Sequence, residues 1–115
     1  MTKNKIIDQV FDLEYLKSII DDDQEFKKEL FEIFFDNAQK NILKLQEAIN
    51  NKDKNLWYMK SHAFKGASAS IGAFELAKIL DHAQKNFEDS DQNKSMILDK
   101  IKQELTNVKE FYKEI

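Results

Sequence analysis

The residues best suited to covalent chemistry lie in one short segment, Trp57-Tyr58-Met59-Lys60-Ser61-His62-Ala63-Phe64-Lys65-Gly66-Ala67-Ser68-Ala69-Ser70-Ile71-Gly72-Ala73. Wound as a helix at about 100° per residue, the segment stacks Trp57, Phe64 and Ile71 on one line, with Ser61 and Ser68 close by. That line reads as a buried face, where small hydroxyl residues let a neighbouring helix come close. His62 falls roughly 160° from it and so faces solvent. Tyr58, Met59, Lys65, Gly66 and Ala69 surround it on the outer face. Gly66 is out of place in a helix built for stability alone, since mid-helix glycine costs about 1 kcal/mol relative to alanine. Together with the alanines it leaves the imidazole uncovered.

An uncovered imidazole next to a lysine suggests one reaction class. Neutral imidazole is a competent nucleophile near neutral pH without a separate activating base. Attack on phosphorus would give phosphohistidine, a high-energy phosphoramidate from which onward transfer to an aspartate is feasible. Phosphoryl transfer depends mostly on positioning and charge neutralisation. Lys65, three residues after His62 and on its side of the helix, can supply an ammonium to the phosphoryl oxygens. Gln84 falls within an otherwise inward stripe between Leu80 and Phe87, and a buried amide needs a hydrogen-bond partner. An antiparallel pair of helices around the Gly72 turn would bring Gln84 to the level of His62, where it can orient the ring. His82, between Asp81 and Ala83, lacks such company and reads as a surface residue.

The elements that must position these residues are all helical. The chain has 115 residues, no proline and two glycines, and proline and glycine are the residues that helix interiors exclude. The spacing predicts a short first helix from Leu13 to Ile20, with Val10, Phe11, Leu13, Leu16, Ile19 and Ile20 on its apolar side. Asp21, Asp22 and Asp23 end it and favour the start of the next, where Asp22 and Glu25 have the spacing of a capping box. The second helix carries a stripe of Phe26, Leu30, Ile33, Phe34, Ala38, Ile42, Leu45 and Ile49. Phe31 and Phe35 lie beside that stripe, placed to receive the first helix. A third helix runs from about Asp53 to Ser70. The fourth, from Ala73 to about Glu88, has Leu76, Ala77, Leu80, Ala83 and Phe87 inward. The last shows Ile97, Ile101, Leu105, Val108, Tyr112 and Ile115. The expected fold is all-α: one domain over residues 1–115, an antiparallel up-down four-helix bundle with a short additional N-terminal helix.

The stretch from His62 to Ala73, His-Ala-Phe-Lys-Gly-Ala-Ser-Ala-Ser-Ile-Gly-Ala, resembles the signature of the histidine-containing phosphotransfer (HPt) family, usually H-x-L-K-G-S/A-S-x-x-L-G-A. Phe64 and Ile71 stand where leucine is commoner, and Ala67 fills a position that is often serine. Gln84, 22 residues after His62, falls where several members carry a glutamine. Asp12 to Phe26 also resembles the beginning of such domains, so the likeness spans nearly the whole chain. The resemblance implies a phosphorelay intermediate in which His62 accepts a phosphoryl group from one receiver-domain aspartate and passes it to another. The implied partners are response-regulator receiver domains and a hybrid histidine kinase. No cofactor of its own is implied, Mg²⁺ coming with the receiver.

Other chemistries lack their parts. With no cysteine there is neither a disulfide framework nor a thiolate metal site. A di-iron bundle needs Glu-x-x-His pairs, but Met59 and Ile79 stand three before His62 and His82. No H-E-x-x-H occurs, and no G-K-S/T follows the glycines as a phosphate loop requires. There is no room for the ATP-binding domain of a full histidine kinase. A net charge of −3, with lysines and carboxylates interleaved, argues against nucleic acid as a partner. No apolar run nears the ~20 residues of a membrane span. Met1 to Val10 lacks the apolar core of a signal peptide, so the cytoplasm is the expected location; a monomer is expected. Two alternatives remain, an adaptor bundle that binds partners without phosphate and a pseudo-HPt protein that docks receivers but does not transfer.

Overall fold

The computed structural model describes residues 12–115, so Val10, Phe11 and the rest of the polar N-terminal stretch lie outside the described residues. The described residues form five helices: α1 (Leu13–Ile20), α2 (Gln24–Asn50), α3 (Lys54–Ser70), α4 (Phe74–Lys85) and α5 (Asp91–Tyr112). Helices α2 to α5 close a four-helix bundle in which α2 packs on α3, α3 on α4, α4 on α5 and α5 back on α2. Short turns at 51–53, 71–73 and 86–90 make successive helices antiparallel. The short α1 lies against α2. This is the architecture that the sequence pattern predicts.

Most helices begin with the same device. Asp12, Asp23, Asp53 and Ser90 adopt extended backbone, and each accepts a hydrogen bond from the amide three residues on. Each thereby satisfies one of the unpaired donors of a first turn. The cap of α2 is therefore Asp23, bonded to the Phe26 amide at 3.0 Å, and the expected Asp22–Glu25 box does not form. Asp21 and Asp22 instead take left-handed backbone, with φ of 49° and 63°; this suits Asp21 as the C-cap of α1 but not Asp22 as an N-cap, which needs extended backbone. Aspartate tolerates that region better than most residues.

Gly72 makes the α3–α4 turn at φ 80°. A β-carbon there would lie 3.2 Å from the Tyr15 ring and 3.3 Å from the Asp12 carbonyl, so glycine is required on two counts. The Asp12 amide donates to the Gly72 carbonyl at 2.9 Å, tying the start of α1 to this turn.

The core holds Trp57, Phe64 and Ile71 as one buried line of α3, with Ser61 and Ser68 between them. The Ser68 hydroxyl donates back to the Phe64 carbonyl at 2.8 Å. Two expectations on α2 fail. Phe26 is 42% exposed and Ile33 61%, whereas Phe31 is fully buried. Phe26 stands in the first turn of α2, at the end of the 27-residue helix, where α1 and the C-terminal residues line the surface beside Gln24 and Lys27 and leave its ring open. Ile33 sits about 100° from Phe34 on the helix, off the line that Phe31 continues. Among the described residues Phe31 and Phe35 receive the end of α5: Tyr112 stacks on Phe31 at 4.6 Å and meets Phe35 edge-on at 5.8 Å.

Candidate functional site

Helices α3 and α4 meet along a seam of side-chain pairs. The deepest link is the Trp57 indole N–H, which donates to the Ala83 carbonyl at 2.8 Å. This buried bond fixes the rotation of α4 against α3 and so decides which α4 residues rise beside α3. Above it, three further pairs follow in antiparallel register. Tyr58 meets Phe87 edge-on at 5.3 Å. One turn along, His62 Nδ1 lies 3.3 Å from Gln84 Oε1. One turn further, Lys65 Nζ lies 3.3 Å from Asp81 Oδ1.

His62 is exposed, as its place on the helix predicts, and Gln84 stands beside it half-buried. With the amide oxygen turned to the ring, the bond selects the tautomer that carries its proton on Nδ1. Nε2 then keeps its lone pair. Lys65 is 29% exposed along its side chain and Asp81 38%. The second Asp81 oxygen takes Lys85 at 2.8 Å. The hydrogen bonds from Lys85 and then Lys65 hold the Asp81 carboxyl below its ordinary range. Sequence reading missed Asp81, although it stands three residues before Gln84 as Lys65 stands three after His62.

Gly66 is exposed, and a β-carbon built on it meets nothing within 4 Å. Met59 is 53% exposed, its sulfur accepting from the Asn55 amide at 3.5 Å. Ala69 is half-buried. Tyr58 remains 40% exposed, with its ring in edge-to-face contact with Phe87, which is half-buried where the sequence pattern placed it inward. His82 lies on the surface and pairs locally with Asn86.

Across α5 the core admits two charged residues that the sequence pattern did not single out. Lys94 is buried with its ammonium 5.5 Å from the centre of the Trp57 ring. Burial depresses its pKa. Glu104 is buried with one oxygen accepting from Asn107 at 3.0 Å and the other without a partner among the described residues. Burial pushes its pKa up. Among the described residues no helix is long and apolar enough to cross a membrane.

The helical bundle thus presents an uncovered histidine, held at Nδ1 by Gln84, with Lys65 one turn along the same helix. Comparison with known proteins agrees at the level of family. The Hpt domain family model matches residues 29–111, and the chain belongs to that family. Multistep phosphorelay regulator 1 of Schizosaccharomyces pombe is 30% identical over 119 aligned positions, covering 97% of this chain. The chain spans 40% of the length of that relative. Among solved structures, histidine-containing phosphotransfer protein B of Pseudomonas aeruginosa PAO1 superposes with a TM-score of 0.82 at 21% identity, covering 90% of this chain and 91% of the other. Ypd1p superposes with a TM-score of 0.63 at 26% identity, covering 69% and 51% respectively.

Proposed function

We propose that this chain is a phosphorelay intermediate carrying a phosphoryl group on His62 Nε2 between aspartates of receiver domains, with a hybrid kinase upstream. The observation that carries the reading is the exposed ring whose Nδ1 is engaged by Gln84 at 3.3 Å, leaving Nε2 free. In the accepting step, Nε2 attacks the phosphorus of an aspartyl phosphate. The P–O bond to the carboxyl oxygen breaks, the carboxylate leaves, and a P–N bond forms. The Nδ1 proton stays in place, so the ring becomes a phosphoimidazolium. Its more acidic N–H strengthens the bond to the Gln84 oxygen as positive charge develops. Lys65 turns its ammonium to the phosphoryl oxygens, a charge-assisted contact. Donation to a second aspartate is the reverse of these steps. Mg²⁺ comes with the receiver, and Met59, Gly66 and Ala69 with the open edge of Tyr58 form the ground on which the receiver sits. The chain works in the cytoplasm as a monomer.

The test is incubation with a radiolabelled phospho-receiver from the same organism, followed by acid treatment. Label on the wild type should be acid-labile and absent from His62→Gln, which folds normally because the position is exposed. Acid-stable label, or label that persists in His62→Gln, would assign the chemistry elsewhere.

A further inference from the structure

Lys65 is engaged in this structure, although the proposed function gives it another task. Its ammonium sits on Asp81 Oδ1 at 3.3 Å, while Lys85 holds Oδ2 of the same carboxylate at 2.8 Å. One negative charge is thus shared by two cations, and the longer of the two contacts belongs to the lysine next to His62. An ion pair this open to solvent adds little to fold stability. The two helices it spans are already locked by the buried Trp57–Ala83 bond. Structural need does not account for it.

We propose that Asp81 is a positioning residue that competes with the phosphoryl group for Lys65 and so sets how fully His62 is phosphorylated at equilibrium. This rests on His62 being the carrier. A phosphoryl group on Nε2 brings nearly two negative charges within reach of Lys65. Lys65 then exchanges the carboxylate for the phosphoryl oxygens, and Lys85 keeps Asp81 neutralised. When the group leaves, Asp81 takes Lys65 back. The carboxylate therefore favours the empty carrier by holding its cation, its own charge being neutralised by Lys85. Replacing it with asparagine should shift the equilibrium toward phosphohistidine by about two- to five-fold, the range expected for one exposed ion pair.

Phosphoramidate permits the test without a protein partner. The P–N bond of the zwitterionic donor breaks, ammonia leaves, and a P–N bond forms at Nε2 while Nδ1 keeps its proton. At fixed phosphoramidate and ammonium concentrations, ³¹P NMR gives the fraction of phosphohistidine. Asp81→Asn should raise the ratio of phosphorylated to free protein about two- to five-fold, and Asp81→Glu should return it toward wild type. In a Lys65→Ala background Asp81→Asn should change nothing, a dependence that a purely structural role would not produce. Equal occupancy in wild type and Asp81→Asn, or an undiminished effect without Lys65, overturns this proposal alone. A wild-type protein that acquires no acid-labile phosphate overturns the His62 assignment and this inference with it.

Discussion

Gly66 separates what the fold needs from what a partner needs. It lies one helical turn after His62, exposed in the interior of α3, and a β-carbon added there would have no neighbour within 4 Å. Alanine meets no steric cost at this position, so the full difference in helix propensity, about 1 kcal/mol, should appear as added stability. For a domain of this size that corresponds to a rise of about 4 °C in Tm. Glutamine is nearly as good a helix former, so Gly66→Gln should also melt at or above the wild-type temperature. Transfer should respond in the opposite direction. Side chains four residues apart on a helix have β-carbons about 5–6 Å from each other, so glutamine rises next to the imidazole. In-line attack needs about 3–3.5 Å between nitrogen and phosphorus, and a displacement of about 1 Å can cost 100-fold. The assay measures thermal unfolding and phosphoryl transfer from a labelled receiver on the same Gly66→Gln sample, with Gly66→Ala beside it. A stabilised Gly66→Gln protein that transfers at the wild-type rate would falsify docking over the His62 face.

Three further outcomes are expected. Lys65→Ala should slow transfer by about 10- to 100-fold through loss of one charge-assisted contact, without abolishing it; unchanged rates in both directions remove Lys65 from the mechanism. Glu104→Gln should stabilise the protein at pH 7 by about 1 kcal/mol, because an unpaired buried amide costs less than an unpaired buried charge and the oxygen facing Asn107 is kept. The folded state binds the Glu104 proton more tightly than the unfolded state, so this group's contribution to stability declines as pH rises from the ordinary carboxyl range through the raised folded value. The gain from glutamine should therefore shrink as pH is lowered toward 4.5, and a pH-independent gain would rule the charge out as its source. Trp57→Phe should cost about 2 kcal/mol in chemical denaturation by orphaning the buried Ala83 carbonyl, and should also shift the ¹⁵N resonances of the His62 ring; an unmoved ring would show that α4 keeps its place without that bond.

The helices were legible because each is long enough to repeat its pattern, and because turns and caps are written in residue types with few other uses. The line of Trp57, Phe64 and Ile71 fixed the buried side of α3 and with it the exposure of His62. The pairing of Gln84 with His62 followed from a polar residue in an apolar stripe and from a turn at Gly72. Errors came where a pattern is local but burial is set by distant parts. Phe26 and Ile33 fit an apolar stripe, yet whether a stripe is covered depends on how far the facing helices extend. Lys94 and Glu104 carry charges that mark an exposed face in sequence; their burial follows from the Trp57 ring and from neighbours supplied by other helices. Asp81 is a different case. The antiparallel register that set Gln84 opposite His62 also sets Asp81 opposite Lys65, so its role could be read once the register was drawn out one more turn.

That register has a chemical consequence for a carrier. A group that must be accepted and then given away cannot be held strongly at either stage, since stabilisation common to the bound state only deepens the well from which transfer must escape. The α3–α4 seam meets this demand with weak partners. Nδ1 faces a neutral amide oxygen, not a carboxylate that would hold the ring as an ion pair. The one cation three residues from His62 is shared with an aspartate, Asp81, at 3.3 Å. Gly66 contributes no side chain at all. The rigid parts lie underneath, in the buried Trp57–Ala83 bond and the Phe64 line of the core, so the ring is aimed by the backbone while the groups around it remain free to exchange partners. A carrier built this way draws its specificity from the surface that docks on it and little of its affinity from the phosphoryl group itself.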